Sequence, residues 1–177
     1  AGRRRDRAEG LRHLGVSIDG ILGQNFLSGR PYLIDFRAKR LLFHTEATEK
    51  AQSMPATFLG PPVAGRPTLN VQLDPSSAPF RLILDSGASH LLLYCTQHCP
   101  RLTEANTTTQ AITNTGSRRV RQGTLHQATL GPLHFTHRPA ALIEANPEPG
   151  QAEGLLPANW FSAIYYDAAR QEIRLAR

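Results

Sequence analysis

Leu82-Ile83-Leu84-Asp85-Ser86-Gly87-Ala88-Ser89 is the stretch that decides how this chain is read. A run of apolar, strand-forming residues delivers a carboxylate into a tight Ser-Gly turn. Gly87 lets the backbone fold back closely beneath the acid, and the Ser86 hydroxyl is placed to hydrogen-bond locally within the turn. Alone, Asp-Ser-Gly is also what a surface turn after any strand looks like. Its weight comes from what surrounds it.

Before it, Leu69, Val71 and Leu73 alternate with Thr68, Asn70 and Gln72, the period of a half-buried strand. Asp74-Pro75-Ser76-Ser77-Ala78-Pro79 then makes a turn into Phe80–Leu84. After it, residues 90–102 read as a short helix or loop. Ala111 to Ile143 reads as successive strands, broken by turns at Asn114-Thr115-Gly116-Ser117 and Gly131-Pro132. Gly154-Leu155-Leu156-Pro157 reads as the opening of a short helix, since proline is tolerated in a first turn. Ile164-Tyr165-Tyr166 and Glu172–Leu175 close as a hairpin, and the two tyrosines face opposite sides, which predicts one of them buried. The pattern is mostly β, with short strands and one or two short helices, and it predicts a small closed barrel.

The chain also repeats itself. Gly20-Ile21-Leu22-Gly23-Gln24-Asn25-Phe26 matches Gly154-Leu155-Leu156-Pro157-Ala158-Asn159-Trp160. Leu33-Ile34-Asp35 then matches Tyr165-Tyr166-Asp167, and each match leads into a polar, basic turn and a last apolar strand. A repeat of this length points to duplicated lobes rather than to a solenoid. Residues 1–45 are thus read as the end of a first lobe. Residues 46–67, with Gly60-Pro61-Pro62, Gly65 and Pro67, are read as a linker, and 68–177 as a complete second lobe.

Composition narrows the function classes. The 177 residues are 40% hydrophobic and carry a net charge of +6. The basic excess sits at Arg3, Arg4, Arg5 and Arg7 and at Arg118, Arg119 and Arg121, with no basic helical stripe and no interleaved aromatics. That is solvated surface charge rather than a nucleic-acid interface. No apolar run is long enough to cross a bilayer. Cys95 and Cys99, with His98 between them and His90 nearby, fall short of a four-ligand zinc set. Free half-buried thiols or a local disulfide remain open. His126, His134 and His137 have no partners at metal-ligand spacing, so neither a metal nor a cofactor is expected. Trp160 and Phe161 read as core.

The strand, the Asp-Ser-Gly-Ala-Ser turn and the later Gly-Leu-Leu together resemble the retropepsin-like aspartic proteases, especially bacterial tandem-lobe members. The likeness covers Thr68–Arg177 as a lobe and roughly Gly15–Thr45 as the end of another. It implies that Asp85 is the catalytic acid/base and that Ser86, Gly87, Ala88 and Ser89 support its loop. Asn114, Thr115, Gly116 and Ser117 become the tip of a flap over a peptide or protein substrate. Gly154, Leu155 and Leu156 become the segment packed behind the catalytic loop. In this family two close carboxylates share one proton and activate a water. Here there is one such motif: Asp19, Asp35 and Asp167 lie in other contexts. The repeat puts a second motif about fifty residues before Ala1. The partner carboxylate is therefore expected from an upstream lobe of the same chain, and the 177 residues alone are expected to be inactive. A homodimer supplying it from a second subunit, or a non-catalytic peptide-binding module, are the alternatives. Compartment is not legible; an exported or periplasmic location stays open.

Overall fold

A computed structural model describes residues 22–27, 29–73, 78–94, 99–113, 116–145 and 150–177, with the backbone alone for 56–58, 104–113 and 116–119. The chain is mostly β. Its elements are α1 (Gln24–Leu27), β1 (Tyr32–Asp35), β2 (Arg40–Phe43), α2 (His44–Ala51), β3 (Ala56–Phe58), β4 (Gly60–Val63), β5 (Arg66–Val71) and β6 (Phe80–Asp85). They continue as β7 (Leu91–Tyr94), β8 (Leu102–Thr113), β9 (Gly116–Leu130), β10 (Leu133–Ile143) and β11 (Gly154–Pro157). A 3-10 turn (Ala158–Trp160), β12 (Ala163–Asp167) and β13 (Glu172–Ala176) complete the order.

Two sheets result. The larger runs β4-β5-β6-β11-β7-β10-β9-β8, and the smaller runs β2-β1-β12-β13-β3. The large sheet curls until the end of β5 meets β9, where Gln72 and Thr129 exchange both backbone hydrogen bonds, at 2.9 and 2.8 Å. The expected closed barrel is not formed as a continuous ladder: the sheet curls, and one bridge links Gln72, just past β5, to Thr129 in β9, inside the edge strands β4 and β8. Its interior is filled by Leu69, Leu82, Leu91, Leu93, Phe135 and Leu156, each at most 1% exposed.

Alternation along the small sheet divides its side chains between two cores. Tyr32, Ile164, Tyr166, Ile173 and Leu175 face the barrel, while Leu33, Leu42 and Tyr165 face Ala47, Ala51 and Met54 on and beyond α2. Helix, small sheet and barrel therefore stack as layers. This is why Tyr165 and Tyr166 are both buried, at 1% and 7% exposure, although they point in opposite directions. Sequence alternation gives the faces correctly but not what covers the second one.

The repeat is visible in detail. Tyr32 pairs with Phe43 and Asp35 with Arg40, and at the matching places Ile164 pairs with Leu175 and Asp167 with Glu172. Both turns put a non-glycine residue at positive φ, Lys39 at 53° and Gln171 at 50°. In both an aspartate holds the turn: Asp35 accepts from the Ala38 N–H, and Asp167 from the Ala169 and Arg170 N–H groups. The two hairpins then pair with each other through β1 and β12, with Tyr32 opposite Tyr166, Leu33 opposite Tyr165 and Ile34 opposite Ile164. Exchanging the copies maps this ladder onto itself, so a local two-fold axis passes through the Leu33–Tyr165 pair.

Three expected assignments change. Gly154–Pro157 is a strand, not a helix start: it pairs in parallel with β6 and, through Gly154 and Leu155, antiparallel with β7. The single helical turn begins only after Pro157. Within residues 90–102, Leu91–Tyr94 is a strand that pairs in parallel with β10. Residues 46–67, read as linker from their Gly and Pro, carry most of α2, all of β3 and β4, and the start of β5. The Ala64-Gly65 turn between β4 and β5 has both residues at positive φ, 50° and 74°, as a two-residue hairpin turn of the I′ kind requires.

Candidate functional site

Asp85 is the last residue of β6, a strand held between β5 on one side and β11 on the other. Leu82, Ile83 and Leu84 anchor it against Gly154, Leu155 and Leu156 in register, with Pro157 opposite Asp85 itself. At Gly154 the approach is so close that a Cβ would collide with the Leu92 carbonyl of β7 and lie 3.1 Å from Leu82 Cδ2. Glycine is required there by space. The family resemblance implied that Gly154, Leu155 and Leu156 pack behind the acidic loop; in the structure they are the strand beside the one that carries it.

The Asp85 carboxylate is half-exposed and both its oxygens are engaged. Oδ1 accepts from the Gly87 backbone N–H at 2.7 Å, which closes the turn. Oδ2 accepts from Arg66 Nη2 at 2.6 Å. Ser86 and Ser89 are exposed, and Ala88 is partly covered. Ser89 Oγ lies 2.8 Å from His90 Nδ1, and its carbonyl accepts from Asn159 Nδ2 at 3.2 Å. Asn159 thus ties the segment after β11 to the loop after β6.

Cavities open on both sides of this loop. One, of about 400 Å³, lies between Gly87–Leu92 and residues at the base of the β8–β9 hairpin and its neighbour, among them Val120, Gln122, Gly123 and Pro139. The other, of about 190 Å³, is walled by Asp85, Ser86 and Arg66 together with Gln24, Tyr32, Ile34 and Ile164. Ile34 and Ile164 face each other beside the local two-fold axis. Asp85 therefore shares a cavity with the centre of the repeat. Burial pushes the Tyr32 hydroxyl up to about 12, and burial raises Tyr166 as well.

Of the hairpin tip read from sequence, Asn114 and Thr115 lie outside the described residues. Gly116 and Ser117 begin β9, opposite Thr113 and Ile112. Two residues of the site escaped sequence reasoning. Asn159 was visible as part of the repeat, where it matches Asn25, but without a task. Arg66 gave no signal, since an arginine opening a strand after a Gly turn looks like ordinary surface charge. Among the described residues no three His, Cys, Asp or Glu side chains gather as metal ligands. Cys99 is disulfide-bonded, which leaves it no thiolate for a metal; the sequence has one other cysteine, Cys95, outside the described residues. No helix among the described residues is long and apolar enough to cross a membrane.

No family model matches this chain, and no curated protein matches it. Among solved structures it is similar to a retropepsin-like aspartic protease from Rickettsia conorii, at 16% identity and a TM-score of 0.48, over 68% of this chain and 98% of that one. No residue's role is taken from that likeness.

Proposed function

We propose that this chain supplies one of the two carboxylates of an aspartic endopeptidase, Asp85, and that a second, similar lobe upstream in the same polypeptide supplies the other, as in tandem-lobe retropepsin-like enzymes. The observation that carries this reading is the position of Asp85 at a cavity shared with Ile34 and Ile164, the pair beside the local two-fold axis. A lobe related by that axis would bring its own strand-end aspartate to the same cavity. A second observation supports it: Leu22 and Phe26 are 60% and 54% exposed, whereas their repeat counterparts Leu156 and Trp160 are 0% and 5% exposed against the barrel. A second barrel would cover the first pair as this one covers the second.

Two carboxylates held this close cannot both ionise, so one keeps a proton. The ionised one takes a proton from a water held between them, and the water attacks the peptide carbonyl. The protonated one donates to the carbonyl oxygen, giving a tetrahedral diol. That intermediate collapses as the amide nitrogen takes up a proton and leaves as the amine. No covalent bond to the protein forms. The larger cavity beside Gly87–Leu92 is the space for the substrate chain.

One observation favours a non-catalytic, peptide-binding module instead: Arg66 holds the Asp85 oxygen that a catalytic water would need. Cleavage of an unfolded protein in 18O-enriched water by the full-length protein separates the two. The peptidase reading expects one 18O at each new C-terminus, at a rate unchanged by a chelator or a thiol-alkylating reagent. No cleavage, or cleavage that the chelator abolishes, contradicts it.

A further inference from the structure

Strands β9 and β10 lose their alternation at the same place. Leu125 and Ala128 on β9, and Phe135 and Ala140 on β10, belong to the core. Between them His126 and Gln127, and across from these Thr136 and His137, are exposed in succession. A regular strand turns successive side chains to opposite faces, so two exposed neighbours on each strand mark a local change of phase. The register sets Thr136 against Gln127 and Arg138 against Leu125, which leaves His137 and His126 opposite each other between those pairs. His137 carries the change, with a φ of 51°. The other non-glycine residues at positive φ among the described residues, Lys39, His44, Ala64 and Gln171, lie in turns or at the start of a helix. His137 alone lies inside a strand. Strain kept within a regular element marks a place where it serves a function. Here its visible result is that two exposed imidazoles meet, ring centres 5.3 Å apart and planes at 58°.

We propose that His126 and His137 form a two-histidine site for a divalent transition ion of the zinc, copper or nickel class. Imidazole nitrogen binds zinc at about 2.0–2.1 Å, which puts each ring centre about 3.2 Å from the metal. Two such rings at the tetrahedral angle have centres about 5.2 Å apart, so this pair already has the separation that a shared ion requires. Both side chains are exposed, and each ring is free to turn one nitrogen toward the ion. No third His, Cys, Asp or Glu joins them among the described residues, so water completes the coordination. Neutral nitrogen donors suit these ions and not magnesium or calcium, which require oxygen ligands. Neither histidine lines either cavity beside Asp85. The ion therefore acts as a clip between β9 and β10, and the inference does not rest on the peptidase reading. Sequence spacing hides the pair, because only the register of the two strands brings it together.

The test is calorimetric titration of the untagged full-length protein, freed of bound metal, with zinc chloride. One zinc ion per chain should bind through this pair, and magnesium chloride should give no such binding. His126→Gln and His137→Gln should each weaken that ion at least tenfold, since either substitution removes the chelate. His137→Gly guards against a variant that merely fails to fold. Glycine takes the left-handed backbone without strain, so without metal this variant should unfold at no lower temperature than wild type, and it should still lose the zinc. Zinc should raise the unfolding temperature of the wild type, and the share of that rise due to this ion should vanish in His137→Gly. With one equivalent of copper(II), electron paramagnetic resonance should show nitrogen coupling in the wild type that is reduced in both glutamine variants, a signature that a purely structural role of the rings would not give. No zinc binding, or a zinc affinity and stoichiometry that survive in any of the three variants, would overturn the proposal.

Discussion

At Gly154 the strand behind the acidic loop approaches β7 too closely for any side chain, because a Cβ would enter the Leu92 carbonyl. Gly154→Ala must therefore push β11 away from β7 or from β6, and the cost is that of forced overpacking, about 3 kcal/mol. Urea denaturation should show that loss, and a change below about 0.5 kcal/mol would mean the strands are not held this way. The residue scale is also where sequence and structure part most sharply. That Asp85 ends a strand and enters a tight turn was legible because the sequence carries a local signature, apolar residues before it and Ser-Gly after it. Arg66 was not, because its importance lies in a contact between strands that no spacing encodes.

Hairpins carry the strongest support for duplication among the elements. Lys39 and Gln171 occupy matching turn positions at φ of 53° and 50°, a conformation that costs an L-residue about 1 kcal/mol and glycine nothing. Lys39→Gly and Gln171→Gly should each raise stability by up to about 1 kcal/mol, and by similar amounts. A loss in both, read by chemical denaturation, would contradict the matched geometry. Asp35 adds a pH dependence. The Lys50 ammonium, hydrogen-bonded to its Oδ2 at 2.8 Å, and the Ala38 N–H hold its carboxyl below the usual range. A depressed folded value stabilises the fold above the ordinary carboxylate pKa of about 3.9. The contribution fades as pH falls through the folded value. Asp35→Asn should thus lower the urea midpoint at pH 7, and the gap from wild type should close on acidification below about pH 4. A gap unchanged at acid pH would show that the charge is not the cause. These hairpins were readable from alternation and turn residues. The strand at Gly154–Pro157 was not, because a four-residue apolar run with proline fits a helix start equally well until its neighbours are known.

Across the molecule, the small sheet joins the two copies and sets the axis beside Asp85. The repeat was legible in sequence, since it preserves residue order over helix, hairpin and strand. The layer formed by α2 was hidden in a segment whose Gly and Pro content suggested a linker. A chain limited to residues 1–177 has one strand-end aspartate in an Asp-Ser-Gly turn. Under the two-lobe proposal it should cleave unfolded protein at least about a hundredfold more slowly than a chain that also carries the second acid/base. Equal rates at dilutions where the short chain is monomeric would refute a mechanism of two carboxylates.

The most direct measurement compares turnover of one unfolded substrate by the full-length protein and by its Asp85→Asn variant, with thermal unfolding recorded for both. Asparagine keeps the shape and can still accept from Gly87 N–H, but it cannot exchange a proton with a partner carboxyl. The expected result is a loss of turnover on the order of a thousandfold with the fold intact. Turnover within about twofold of wild type, in a variant that unfolds at the same temperature, would contradict the assignment of Asp85 as an acid/base.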